Sequence, residues 1–64
     1  MMYTYDVEDG QFSFQIELHT LLGKEGDIIY ISPNGIDPDA SPVKILKIDG
    51  NLVICRGSVE YPLD

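Results

Sequence analysis

The sequence predicts an all-β domain, a small five- to six-stranded, partly open barrel of the Src-homology or OB type. Three observations carry this reading. Apolar and polar residues alternate with period two through Tyr3–Val7 and again through Phe12–Ile16. Two Asp-Gly dipeptides, Asp9-Gly10 and Asp49-Gly50, stand between apolar runs, where tight hairpins need them. Turn signals recur at the spacing of all-β domains and leave room for one short helical loop at most. A chain of 64 residues holds one domain, 1–64, since this size lies near the lower limit for an independent core.

The first hairpin follows from its turn. A type I′ loop at Asp9-Gly10 sets Glu8 against Gln11, Val7 against Phe12, Asp6 against Ser13, Tyr5 against Phe14, Thr4 against Gln15 and Tyr3 against Ile16. One face then collects Tyr3, Tyr5, Val7, Phe12, Phe14 and Ile16; the other collects the polar partners. A slip of one residue would destroy that separation.

Beyond Leu18 the alternation stops. His19-Thr20-Leu21-Leu22 reads as one short turn or helical loop, and Gly23-Lys24-Glu25-Gly26 as a corner. The strand Asp27–Ser32 is apolar on both faces, so it is either central and covered twice or bent to serve two parts of a barrel. Residues 33–42 hold three of the four prolines and are expected to form a loop with no ladder of any length.

A second hairpin joins Val43–Ile48 to Leu52–Arg56. A three-residue loop would set Lys44 against Arg56, and these like charges favour a two-residue Asp49-Gly50 turn or a bulge near Ile45-Leu46. A last short strand is expected at Val59-Glu60-Tyr61, ended by Pro62.

Composition excludes several function classes. Hydrophobic residues at 44% and charged residues at 23% describe a globular chain rather than a disordered one. Eleven acids against four bases give a net charge of −7, which argues against direct nucleic-acid binding and against anionic membranes. One cysteine and one histidine cannot build a disulfide framework or a Cys/His zinc site. The start, Met1–Asp6, has neither a basic n-region nor an apolar run, so the expected location is cytoplasmic, without membrane association.

Few residues could carry chemistry. Cys55 lies in the apolar run Leu52–Cys55 and is expected in the core, while His19 is expected on the surface beside a turn. Their pairing as a thiol-imidazole couple is the one enzymatic reading, and the leading expectation is a protein that is not an enzyme. Asp37 and Asp39, with Asn34 and Ser41, offer hard oxygen donors but lack a regular ligand spacing and a terminal glutamate. They read as a solvated turn, with no metal and no cofactor expected. Gly23-Lys24-Glu25-Gly26 lacks the Ser or Thr that follows the lysine of a phosphate loop.

The run Leu21-Leu22-Gly23-Lys24-Glu25-Gly26-Asp27-Ile28-Ile29-Tyr30-Ile31 resembles a segment common in AbrB/MazE-type swapped-hairpin proteins, over about eleven residues of the chain. That resemblance implies a dimeric antitoxin or transcription regulator. The family's proline-led segment before the corner is replaced here by Gln15–Thr20.

Charge layout gives the leading functional expectation. Residues 1–42 hold eight acids and one lysine, whereas residues 43–64 are balanced. Solubility accounts for such a surplus; so does steering toward a basic protein patch. On the second reading the chain is a small non-enzymatic interaction module, an accessory subunit or inhibitor. It would bind its partner through Asp6, Glu8, Asp9, Glu17, Asp37 and Asp39 and a free sheet edge. Ile29, Ile31, Ile45, Val53 and Leu63 stand opposite apolar neighbours and need covering, by barrel closure or by a homodimer or partner.

Overall fold

The alternation that marks the first hairpin persists around the whole sheet. In the computed structural model, which describes residues 1–10 and 12–57, six strands form one nearly closed, barrel-shaped sheet with a single unsealed seam. They are β1 (Tyr3–Asp9), β2 (Phe12–Leu18), β3 (Ile28–Ser32), β4 (Gly35–Ile36), β5 (Pro42–Asp49) and β6 (Leu52–Gly57). Their order is β2-β1-β6-β5-β3-β4. All neighbours are antiparallel except β1 and β6, which run parallel, with Tyr5 opposite Val53 and Val7 opposite Cys55. The expected strand at Val59-Glu60-Tyr61 lies outside the described residues, as do Gln11 and Leu63.

Inward-facing side chains make the core. Tyr5 and Val7 of β1, Ile29 and Ile31 of β3, Val43 and Ile45 of β5, and Val53 and Cys55 of β6 are all buried. Barrel closure is therefore what covers Ile29, Ile31, Ile45 and Val53, each burial worth roughly 1.5–3 kcal/mol against exposure. Among the described residues no second layer lies outside β3, so Ile28 and Tyr30 are 45% and 47% exposed. Of the two readings of this strand, neither a double cover nor two faces serving two parts of the barrel is seen, because a single-layered barrel shields only its interior face, that of Ile29 and Ile31.

The first hairpin turns one residue later than the sequence suggests, and the second one residue later than its two-residue Asp49-Gly50 alternative. Asp9 pairs with Phe12, Val7 with Phe14, Tyr5 with Ile16 and Tyr3 with Leu18, a shift of two residues along β2 from the expected register. Every side chain keeps its face, because the shift is even. The reason lies in the turn: Gly10, at φ +65°, takes the first loop position, so Asp9 stays in the ladder and escapes the left-handed region. The second hairpin repeats this, with Asp49 paired to Leu52 and Gly50 at φ +63°. Asn51 has no positive φ, so this loop is of the II′ kind rather than I′.

A bulge at Leu46 shifts the register between Ile45 and Lys47, close to where like-charge avoidance predicts one. It does not part the two cations, since Lys44 still stands opposite Arg56. Arg56 instead reaches toward β1. Its Nη1 donates to the carbonyls of Cys55 (2.8 Å) and Asp6 (3.4 Å), and its Nε lies 3.6 Å from Glu8 Oε1.

The loop between β2 and β3 is a bend at His19-Thr20 followed by irregular chain; among the described residues there is no helix. Asp27 builds its corner: Oδ2 accepts from Lys24 N (3.0 Å) and its own amide donates to Lys24 O (3.0 Å). The expectation of no ladder in residues 33–42 is corrected as well. Pro33-Asn34 turns the chain so that Ser32 pairs with Gly35 and Ile31 with Ile36. Pro33 and Pro38 flank this two-residue ladder, and Pro42 opens β5, positions where a missing amide costs little.

Candidate functional site

Strand polarity determines what the seam exposes. Among the described residues β2 and β4 end the sheet, so each has one edge with no described strand beside it. Following the pairings from β2 through β1, β6, β5 and β3 to β4, the two edge strands point the same way.

Two clefts lie beside the edge strands, one with β2 residues in its lining and the other with a β4 residue. The upper, of about 150 Å³, lies between Val7, Phe12 and Phe14 on one side and Ile31, Pro33 and Val43 on the other. The lower, of about 350 Å³, is lined by Leu22, Ile29, Tyr30, Ile36 and Pro38. Phe12 of β2 is 76% exposed and Ile36 of β4 is 65% exposed, so each edge strand presents a large apolar side chain.

The expected partner-binding acids divide into three settings. Asp6, Glu8 and Glu17 share the outer face of the β1–β2 ribbon with Thr4, Ser13 and Gln15. Asp9 is half-buried at the hairpin tip and borders the upper cleft. Asp37 and Asp39 lie just past β4, where Asp37 Oδ1 accepts the Asp39 amide (3.0 Å) and the Asp37 amide donates to Tyr30 O (3.1 Å). Among the described residues no three His, Cys, Asp or Glu side chains converge as metal ligands would.

Sequence order hides the disposition of the bases. Arg56 on β6 and Lys44 and Lys47 on β5 occupy the middle of the sheet. β2 and residues 33–41 contain no lysine or arginine. Glu8 on β1 therefore stands beside Arg56, with Lys44 and Lys47 one strand further on, whereas the rims of the seam carry Glu17 on one side and Asp37 and Asp39 on the other. The Glu8–Arg56 pair is partly exposed and contributes at most ~1 kcal/mol.

Cys55 and His19 are not brought together. The Cys55 thiol is buried, and its hydrogen bond, at 4.0 Å, goes to the Val53 carbonyl. Burial pushes its pKa up to about 11, against an opposing pull from Arg56 and with a small addition from Asp6. His19 sits on the exposed bend past β2. The residue that sequence reading overlooks is Tyr5. Its buried hydroxyl donates to Thr20 O (2.6 Å) and accepts from Leu22 N (2.9 Å), tying the loop after β2 to the barrel. Alternation marks Tyr5 as inward-facing, but only the fold shows which backbone groups satisfy its hydroxyl.

Among the described residues, no helix is long and apolar enough to cross a membrane. Compared with protein-family models, curated proteins and solved structures, the chain matches none.

Proposed function

We propose that this chain is a small acidic interaction module, an accessory subunit or inhibitor, that docks on a basic surface of a partner protein. The observation supporting this reading is the placement of acids around a free sheet edge. Asp6, Glu8 and Glu17 face outward on the ribbon that ends in edge strand β2, and Asp9, Asp37 and Asp39 lie at its tip and across the seam. Acids in this position raise the rate of encounter with a cationic partner, and the open edge supplies backbone hydrogen-bonding groups once contact is made.

Affinity capture from an extract of the source cells tests the reading. Wild type should retain a partner with a basic surface at ~0.1 M salt and lose much of it near 1 M, where the Debye length falls to ~3 Å. The triple reversal Asp6→Lys, Glu8→Lys, Glu17→Lys should fail to retain it. A partner held equally by wild type and reversal at both salt concentrations would reduce the acids to a solubilising role.

A further inference from the structure

We infer that the seam between β2 and β4 is a strand-addition site for an extended partner segment in which basic and apolar residues alternate. The inference rests on the interaction-module reading and specifies where and how the partner binds. Because β2 and β4 point the same way, closing the barrel directly would require a parallel pair between them. A single added strand of opposite direction would instead be antiparallel to both edges, the pairing that already joins β2 to β1 and β4 to β3.

Side-chain alternation then dictates the chemistry of the segment. Every second residue of an added strand points into the barrel, and the others point out. Inward positions along β2 meet the upper cleft, whose lining is mainly apolar, and those along β4 meet Ile36 and the apolar lower cleft. The upper one, at about 150 Å³, is the size of a cavity that takes a benzene-sized group. Outward positions pass between Glu17 and the pair Asp37 and Asp39, on rims with no lysine or arginine of their own. Apolar-in and basic-out is the pattern that satisfies both. A second copy of this chain is the poorer occupant, since two bodies of net charge −7 repel and the edge strand β2 of each carries an acid but no base.

A synthetic peptide of alternating lysine and valine, about as long as β2, provides the probe. Amide hydrogen exchange on the full chain reads where it sits. Bound peptide should slow exchange on both edge strands, β2 and β4, and the exposed-site variants Phe12→Ser and Ile36→Ser should each weaken binding at least tenfold while leaving the melting temperature nearly unchanged. Peptides alternating glutamate with valine, or lysine with serine, should bind at least tenfold more weakly.

Absence of binding by the lysine–valine peptide would overturn the seam assignment, as would equal binding of the lysine–serine peptide. Binding that is lost in the Asp6, Glu8, Glu17 reversal but leaves β2 and β4 unprotected would overturn the seam and retain the acidic docking module. Edges already protected without peptide would also overturn it: dilution-dependent protection would give the seam to a second copy, and dilution-independent protection to residues 58–64 of the same chain.

Discussion

Gly57 packs against Asp9 so closely that a Cβ at position 57 would stand 2.8 Å from Asp9 Cγ and 3.1 Å from its Cα. This contact locks the end of β6 to the end of β1 at the turn of the first hairpin. Gly57→Ala should therefore cost roughly 1–3 kcal/mol, the usual range for overpacking, and should lower the melting temperature. Asp9→Gly in the same background should restore only part of the loss, because the Cα remains in the way. A Gly57→Ala protein as stable as wild type would show that β6 does not approach β1 at this end.

The turn glycines make a sharper test of register. Gly10 and Gly50 both hold positive φ at the first loop position, where a β-branched side chain is strongly disfavoured. Gly10→Val and Gly50→Val should each lower stability by at least ~1 kcal/mol, read as a drop in urea midpoint. Asp9→Asn and Asp49→Asn, at strand positions, should change it far less. Equal midpoints for Gly10→Val and wild type would mean that the hairpin turns elsewhere.

The faces of the first hairpin are legible in the sequence because alternation survives any even shift of register. The shift itself is not, since Asp-Gly can supply both loop residues or the last strand residue and the first loop residue. Prolines 33, 38 and 42 discourage a strand, but none of them is a member of the Ser32–Gly35 or Ile31–Ile36 pair, so their missing amides leave this short ladder intact. The parallel pairing of β1 with β6 leaves no local mark at all: it is a contact between the two ends of the described chain, fixed by the need to close the core around Tyr5, Val7, Val53 and Cys55. The acids around the seam are visible as a surplus in residues 1–42, but Arg56, which stands opposite Glu8, comes from a distant segment, and only the strand order sets it there.

Tyr5 should anchor the loop after β2. Tyr5→Phe keeps the ring and removes the hydroxyl that serves Thr20 O and Leu22 N. The expected cost is ~1–3 kcal/mol for leaving partly buried backbone groups unsatisfied, with faster amide exchange at Leu22 in particular. An unchanged exchange rate at Leu22 would show that water replaces the hydroxyl at little cost.

Duplex DNA should not bind near physiological salt. Affinity for the phosphate backbone depends on counterion release by clustered lysine and arginine, and of the three bases on the sheet, Arg56 stands beside Glu8 while Lys44 and Lys47 lie one strand further on. A gel-shift titration gives the answer directly. Saturable micromolar binding would favour a regulator-like role over the acidic docking module.

Cys55 gives stability a pH dependence whose sign can be worked out. Burial raises its pKa from an ordinary 9.0 to about 11, so between these values the folded chain keeps a proton that the unfolded chain has released. Stability from this group is complete below pH 9.0 and is lost as pH climbs toward 11, a total of about 2–3 kcal/mol at 1.36 kcal/mol per unit. Tyr5, also raised by burial from 10.0, adds a loss of its own above its ordinary value. Urea midpoints measured across this range should fall more steeply for wild type than for Cys55→Ala, which retains Tyr5 but has no thiol to ionise. The same burial should make a thiol reagent far slower on native protein than on urea-unfolded protein. Parallel pH profiles together with fast native labelling would place the thiol in contact with solvent, and would return Cys55 to consideration as a nucleophile.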